Sequence, residues 1–252
     1  MKHITQRQHE IIEGLMLGDG GLSRRKCSHN PVLRVQRSLS DKIYNQWLNQ
    51  EFYDSLKCHL SDYAILDNRT NRTYSSTVLR TEASSMLIPY YERWYPGDCK
   101  CIPDDLILTP LTMAVWFADD GCVKNVDKWS LDMKLAVNGF KDRDVEILVS
   151  KLNELLNVEF RIYQSDDRPT IRGFTVASRA FLNLIDPVFP PLLRKSDIWR
   201  NENFKLLIGK PEKPKCPRCA DGKVYAYGKY ANGKPKFKCL QCMSCFTGIL
   251  AT

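Results

Sequence analysis

No apolar run in this sequence approaches the ~18 to 20 residues a membrane span needs. The N-terminal stretch MKHITQRQHE also lacks the apolar segment of a secretory signal. These absences predict a soluble, intracellular protein without a membrane partner, sitting in the cytoplasm of a prokaryote or inside an organelle. Disordered and fibrous compositions are missing too: 252 residues at 43% apolar and 26% charged describe an ordinary globular chain with a sizeable core. Charge is not spread evenly. Of the net +8, +7 lies between Lys210 and Thr252, where nine Lys or Arg face only Glu212 and Asp221. A basic appendage beside a near-neutral body fits a polyanionic partner, because each phosphate contact releases counterions.

Two stretches share one outline. Leu108 to Gly121, LTPLTMAVWFADDG, is an apolar helix-like run that stops at two aspartates and a glycine. Ile11 to Gly20, IIEGLMLGDG, likewise ends in a small residue, an aspartate and a glycine. A helix C-terminus carries partial negative charge, so Asp19 and Asp120 cost ~0.3 to 1 kcal/mol each where they stand. A local rule broken twice in one way points to a functional site. Gly20 and Gly121 are expected to take the left-handed conformation that stops a helix. Gly14 with Gly18, and Ala114 with Ala118, are four apart and offer small faces for close helix packing.

Between and after these motifs the elements come in the same order twice. Strands are expected at 21–25 and 32–38, a helix at 41–55, strands at 61–66 and 74–80, and a helix at 83–94. In Val32 to Ser38, Leu33 and Val35 alternate with the polar Arg34, Gln36 and Ser38. Tyr95 to Pro110, with three prolines, is a linker. Strands at 122–126 and 130–137, a helix at 142–157, strands at 159–163 and 170–176 and a helix at 178–185 follow. Asn71-Arg72 before a strand parallels Asp167-Arg168 before a strand, so the chain is an internal duplication.

The paired motifs, above all LTPLTMAVWFADDG, resemble the signature of LAGLIDADG homing endonucleases in their two-motif, single-chain form. The resemblance covers about residues 8 to 205. It implies an α/β (α+β) fold of two pseudo-symmetric αββαββα units forming a DNA-binding saddle, with the first half at 1–95, a linker at 96–110 and the second half at 111–209. It also implies a monomer that cuts both strands of a double-stranded DNA target, one aspartate per strand, by metal-dependent phosphodiester hydrolysis. Asp19 and Asp120 would be the catalytic acids, holding Mg²⁺ (or Mn²⁺) with the backbone carbonyls of Gly18 and Asp119; Asp119 is read as helper, because Asp120 directly precedes its glycine as Asp19 does. Hard oxygen donors suit Mg²⁺. Arg72 and Arg168 match the family's basic residues near the scissile phosphates. Base reading falls to outward strand residues, for which Arg34, Gln36, Arg80, Lys134 and Arg172 are the candidates. The same fold serves intron RNA maturases and non-cleaving DNA-binding proteins, which are the alternatives.

Five of the ten cysteines crowd between Cys216 and Cys245. Cys216-Pro-Arg-Cys219 and Cys239-Leu-Gln-Cys242 have the spacing of a four-cysteine Zn²⁺ site. Strands at 223–230 and 234–238 would turn at Ala231-Asn232-Gly233. The stretch 216–252 is similar to zinc ribbons of DNA-binding proteins, tethered by Lys210 to Lys215. Cys245 could replace Cys242 or be a free thiol; by the ribbon pattern it stays outside the site.

Overall fold

The computed structural model of the chain describes residues 3–25, 28–69, 71–97, 99–124, 131–165, 168–190, 215–219, 223–230 and 235–247. They divide into two compact units, residues 1–126 with 130–201 and a smaller one that contains 202–252.

In the larger unit the chain runs α1 (Gln6–Leu17), β1 (Gly20–Ser23), β2 (Val32–Ser38), α2 (Lys42–Glu51), β3 (Cys58–Asp67), β4 (Arg72–Thr81) and α3 (Ile88–Trp94). It then repeats as α4 (Pro110–Asp120), β5 (Gly121–Lys124), β6 (Asp132–Ala136), α5 (Asp142–Leu156), β7 (Phe160–Ser165), β8 (Arg168–Gly173) and α6 (Thr175–Ile185). Each half is αββαββα. Its four strands form one antiparallel sheet, in the order β1-β2-β4-β3 in the first and β5-β6-β8-β7 in the second. Among the described residues no helix is long and apolar enough to cross a membrane.

Helix α1 starts where Thr5 closes a capping box with Gln8, and α4 where the Thr109 hydroxyl accepts the Thr112 N–H ahead of a favourable Pro110. Every residue of α4 from Leu111 to Asp119 is buried, as a helix apolar on all sides must be. It lies against α1, and the Thr112 hydroxyl donates to the Glu10 carbonyl at 3.1 Å between the two. The close approach uses Gly14 and Gly18 of α1, but on α4 it uses Val115 and Asp119 rather than the expected Ala114 and Ala118. A Cβ on Gly14 would sit 2.6 Å from the Thr112 carbonyl oxygen and 2.7 Å from the Val115 Cβ. Small residues on one helix therefore receive larger ones from the other.

The expected left-handed glycines are corrected by the backbone. Gly121 is extended (φ −76°, ψ 147°), and neither it nor Gly20 has positive φ. Glycine is needed there for space: a Cβ would meet the Leu15 carbonyl oxygen at 2.6 Å from Gly20 and that of Phe117 at 2.5 Å from Gly121. The sharp turn from motif helix into first strand leaves no room for a side chain.

The smaller unit holds β9 (Val224–Lys229), β10 (Pro235–Cys239) and β11 (Cys245–Thr247), in the order β11-β10-β9. Its small core is Cys216, Val224, Phe237 and Cys239, with Cys219, Cys242 and Phe246 packed on it. The turn expected at 231–233 and the tether at 210–214 lie outside the described residues. The third strand escaped sequence reading because three residues carry no period.

Candidate active site and metal centre

The C-terminal ends of α1 and α4 bring Asp19 and Asp119 into contact. The Asp119 side chain is fully buried, whereas that of Asp19 is 43% exposed. Asp119 Oδ2 accepts the backbone N–H of Asp19 at 3.0 Å, and Oδ1 accepts Arg37 Nη1 at 2.5 Å. The same guanidinium reaches Asp19 Oδ2 at 3.2 Å and donates through Nη2 to the Ala118 carbonyl at 2.8 Å. Its carbon stands 4.5 Å from the centre of the Tyr44 ring. Arg37 thus ties the first half's sheet to the end of the second half's helix. Burial pushes the Asp119 carboxyl up to about 7, against the opposing pull of Arg37 and with the charges of Asp19 and Asp120 adding to the rise.

Lys100, in the linker, donates Nζ to the carbonyls of Gly18 at 3.3 Å and Gly20 at 2.9 Å, on either side of Asp19. Burial lowers its ammonium to about 8, although Asp120, Asp119 and Asp19, in that order, favour the charged form. Asp19 and Asp119 thus face both Arg37 and Lys100, and the charge of Asp120 acts on Lys100 and Asp119.

Sequence reading missed both bases. Arg37 carried a signal, since it shares the parity of Leu33 and Val35 on the buried face of β2, where an arginine is out of place. Lys100 carried none.

The other candidates lie elsewhere. Arg72 pairs with Asp67 at the tip of the β3–β4 hairpin, seven residues along β4 from Leu79, which is aligned through Val35 with Gly20. That is about 23 Å of strand, so the register does not bring Arg72 to the aspartates. The side chain of Arg168 lies outside the described residues. Arg34 and Arg80 are exposed and directly opposite each other on β2 and β4, with His59 next across from Arg80. Like charges facing each other repel, so this face favours an anion. It lines a concavity of about 610 Å³. The Gln36 amide oxygen accepts from Arg34 at 2.5 Å. In the second sheet Lys134 is opposite Arg172, but the Arg172 guanidinium is held bidentately by the buried Asp132 and flanked by Tyr163 and Phe174. Asp132 thus takes the Nε hydrogen and one Nη2 hydrogen of Arg172 and orients the guanidinium, leaving three of its five donors.

In the ribbon unit the four sulfurs of Cys216, Cys219, Cys239 and Cys242 lie within 4.8 Å of one another. Cys216 to Cys242 and Cys219 to Cys239 are each 3.5 Å apart. A tetrahedral zinc at ~2.3 Å from each sulfur needs them roughly 3.8 Å apart, so the donor set fits that ion in type and size. Burial raises the Cys216 thiol, but the N–H groups of Arg218 and Cys219 and the Ser244 hydroxyl outweigh it and hold the group at about 6, whereas the hydrogen bond with Cys239 raises Cys219 to about 12. Cys245 is exposed on β11 and outside this cluster.

The sequence profile of the LAGLIDADG DNA endonuclease family matches residues 9–181. The chain belongs to the LAGLIDADG family. Cytochrome b mRNA maturase bI2 of Saccharomyces cerevisiae is 28% identical over 64% of this chain and 39% of its own length. A probable intron-encoded endonuclease 1 of Wickerhamomyces canadensis is 25% identical over 76% and 84%. The structure of the homing endonuclease I-WcaI bound to its DNA recognition sequence superposes with a TM-score of 0.69, at 22% identity, over 76% of this chain and 85% of that one. This LAGLIDADG protein therefore shares that endonuclease's fold.

Proposed function

We propose that the protein is a monomeric, site-specific homing endonuclease that hydrolyses both strands of a double-stranded DNA target. The observation that carries this reading is the contact of Asp19 with Asp119 at the ends of two packed helices, with Asp120 next in the chain and its charge acting on Lys100. Asp19, Asp120 and the Gly18 carbonyl form a hard-oxygen donor set that suits Mg²⁺ or Mn²⁺, with water and phosphate completing the shell. Such an ion would polarise the phosphodiester and neutralise the charge that grows on it. The protein's own groups do the rest. Arg37 and Asp119 fix the Asp19 carboxylate, and Lys100 Nζ, with its ammonium lowered to about 8, takes up the proton released as water attacks phosphorus. Arg34, Gln36 and Arg80 offer donors and acceptors to base edges in the major groove. In the ribbon, Lys236 and Lys238 stand over Tyr227 on one sheet face and add phosphate contacts beside a structural zinc.

Asp120→Asn should leave DNA affinity within a few-fold while abolishing cutting of the fused exon sequence that flanks the gene. Cutting that persists with Mg²⁺ would assign the acid elsewhere. The similarity to a cytochrome b mRNA maturase supports a second reading, intron RNA maturation. Restored splicing of the host intron by wild type and Asp120→Asn alike, with no DNA cut by either, would select it.

A further inference from the structure

The outer face of the second sheet carries a buried charge. Along β6, Met133 and Leu135 point into the core, so Asp132 and Lys134 share the other face. Lys134 is opposite Arg172 of β8, which makes Asp132 the diagonal neighbour of Arg172 on that face. The Asp132 side chain is only 6% exposed, whereas that of Arg172 is 27% exposed. A buried carboxylate requires a partner, and here Oδ1 accepts the Arg172 Nε–H at 2.8 Å while Oδ2 accepts Nη2. The rings of Phe174 and Tyr163, which meet edge to face, stand 4.8 and 5.3 Å from the guanidinium carbon.

This arrangement fixes a fork. With the Nε edge of the guanidinium on Asp132, the end edge keeps one Nη1 and one Nη2 hydrogen side by side. Two parallel donors match the O6 and N7 acceptors of guanine in the major groove, whereas adenine sets a donor where guanine has O6. A loose arginine turns its fork to any acceptor; one anchored to a buried acid and flanked by two rings offers one edge in one direction. Asp132 also neutralises the charge of Arg172, so the pair has less to gain from phosphates than Lys134 has.

The fold does not require the pair. Gly20 is opposite Val35 in the first sheet and Gly121 opposite Leu135 in the second, so Val32 stands where Asp132 does, and Arg80 where Arg172 does. The first half keeps the arginine and sets a valine beside it.

We propose that Arg172 reads a single guanine in the major groove of the target, with Asp132 as its positioning residue. The inference rests on the site-specific reading above and adds to it the identity of one base.

The test is selection of bound duplexes from a randomised pool by the full chain, without Mg²⁺ so that the duplexes stay whole, followed by sequencing. The wild type should enrich guanine at one position by about tenfold over the other bases, within the range of a good bidentate contact. Arg172→Lys leaves a cation beside Asp132 and should fold, but it has no fork, and its pool should lose the preference at that position alone. Asp132→Ala keeps the fork and frees it, and should reduce the same preference while affinity for the wild-type consensus stays within a few-fold. A preference unchanged in Arg172→Lys, or preferences lost at every position alike, would give the pair a structural role and overturn the proposal. A wild type that enriches no sequence overturns the site-specific reading as well; one whose enriched sequence is the same in both variants leaves that reading standing alone.

Discussion

Lys100 and Asp119 sit within one cluster, yet burial moves them oppositely, the amine down to about 8 and the carboxyl up to about 7. If Lys100 accepts the proton of the attacking water, the cleavage rate should rise with pH through about 8. Lys100→Met should flatten that limb and slow cutting roughly 10²- to 10⁴-fold, read from single-turnover rates between pH 6 and 9.5. For Asp119 the readout is stability. Its folded value lies above the ~3.9 of an open chain, so the fold binds a proton the unfolded chain has released, and its contribution, complete below about pH 4, is lost as pH rises through 7. Melting curves of wild type and Asp119→Asn should show the wild type losing ground to the variant over that window. Equal slopes would mean that Arg37 keeps Asp119 ionised throughout. Of these residues the sequence displayed Asp19, Asp119 and Asp120, because acids at a helix end are conspicuous. It hid Lys100, because a lysine in an irregular linker obeys no period. Arg37 stood in between, visible as a charge on an apolar strand face but silent about its partner.

At the scale of the element, periodicity did nearly all the work. Strand β2 begins and ends at Val32 and Ser38 as expected, and α5 starts at Asp142, because one has clean alternation and the other an apolar stripe. Boundaries moved where local propensity had no sharp stop. The helix expected at 41–55 ends at Glu51, and β3 and β4 extend to a longer hairpin at 58–81. The helix pair is where spacing misled. Alanines four apart looked like the contact, but α4 presents Val115 and Asp119 to the two glycines of α1, and side chains across an interface match in volume rather than in kind. Gly14→Ala therefore drives a methyl into the Thr112 carbonyl, which cannot rotate away. It should destabilise the protein by about 1 to 3 kcal/mol, a fall in melting temperature of roughly 2 to 4 °C per kcal/mol. Gly97→Ala, with nothing within 4 Å of the new methyl, should melt with the wild type.

For the molecule as a whole, the basic tail was legible as charge and as cysteine spacing, since four thiols in two pairs need no long-range information. Its third strand, and how its face is used, were not. Removing residues 211–252 should weaken binding to target DNA and flatten the dependence of log K on log salt by about 0.9 for each phosphate that the ribbon neutralises. An unchanged slope in a salt titration would leave the ribbon a purely structural role.

The packing of Gly18 against Asp119 also bears on what the chain can no longer be. Two copies of the second half, set face to face, would drive two Asp119 side chains into one space with no arginine to receive them. Two copies of the first would leave a void between glycines and take from each Arg37 the buried Asp119 carboxylate, leaving it only Asp19. Neither half can replace its neighbour with its own twin, so fusion has become an obligation: the halves have diverged as lock and key, and a homodimer built from either is a state this sequence has given up.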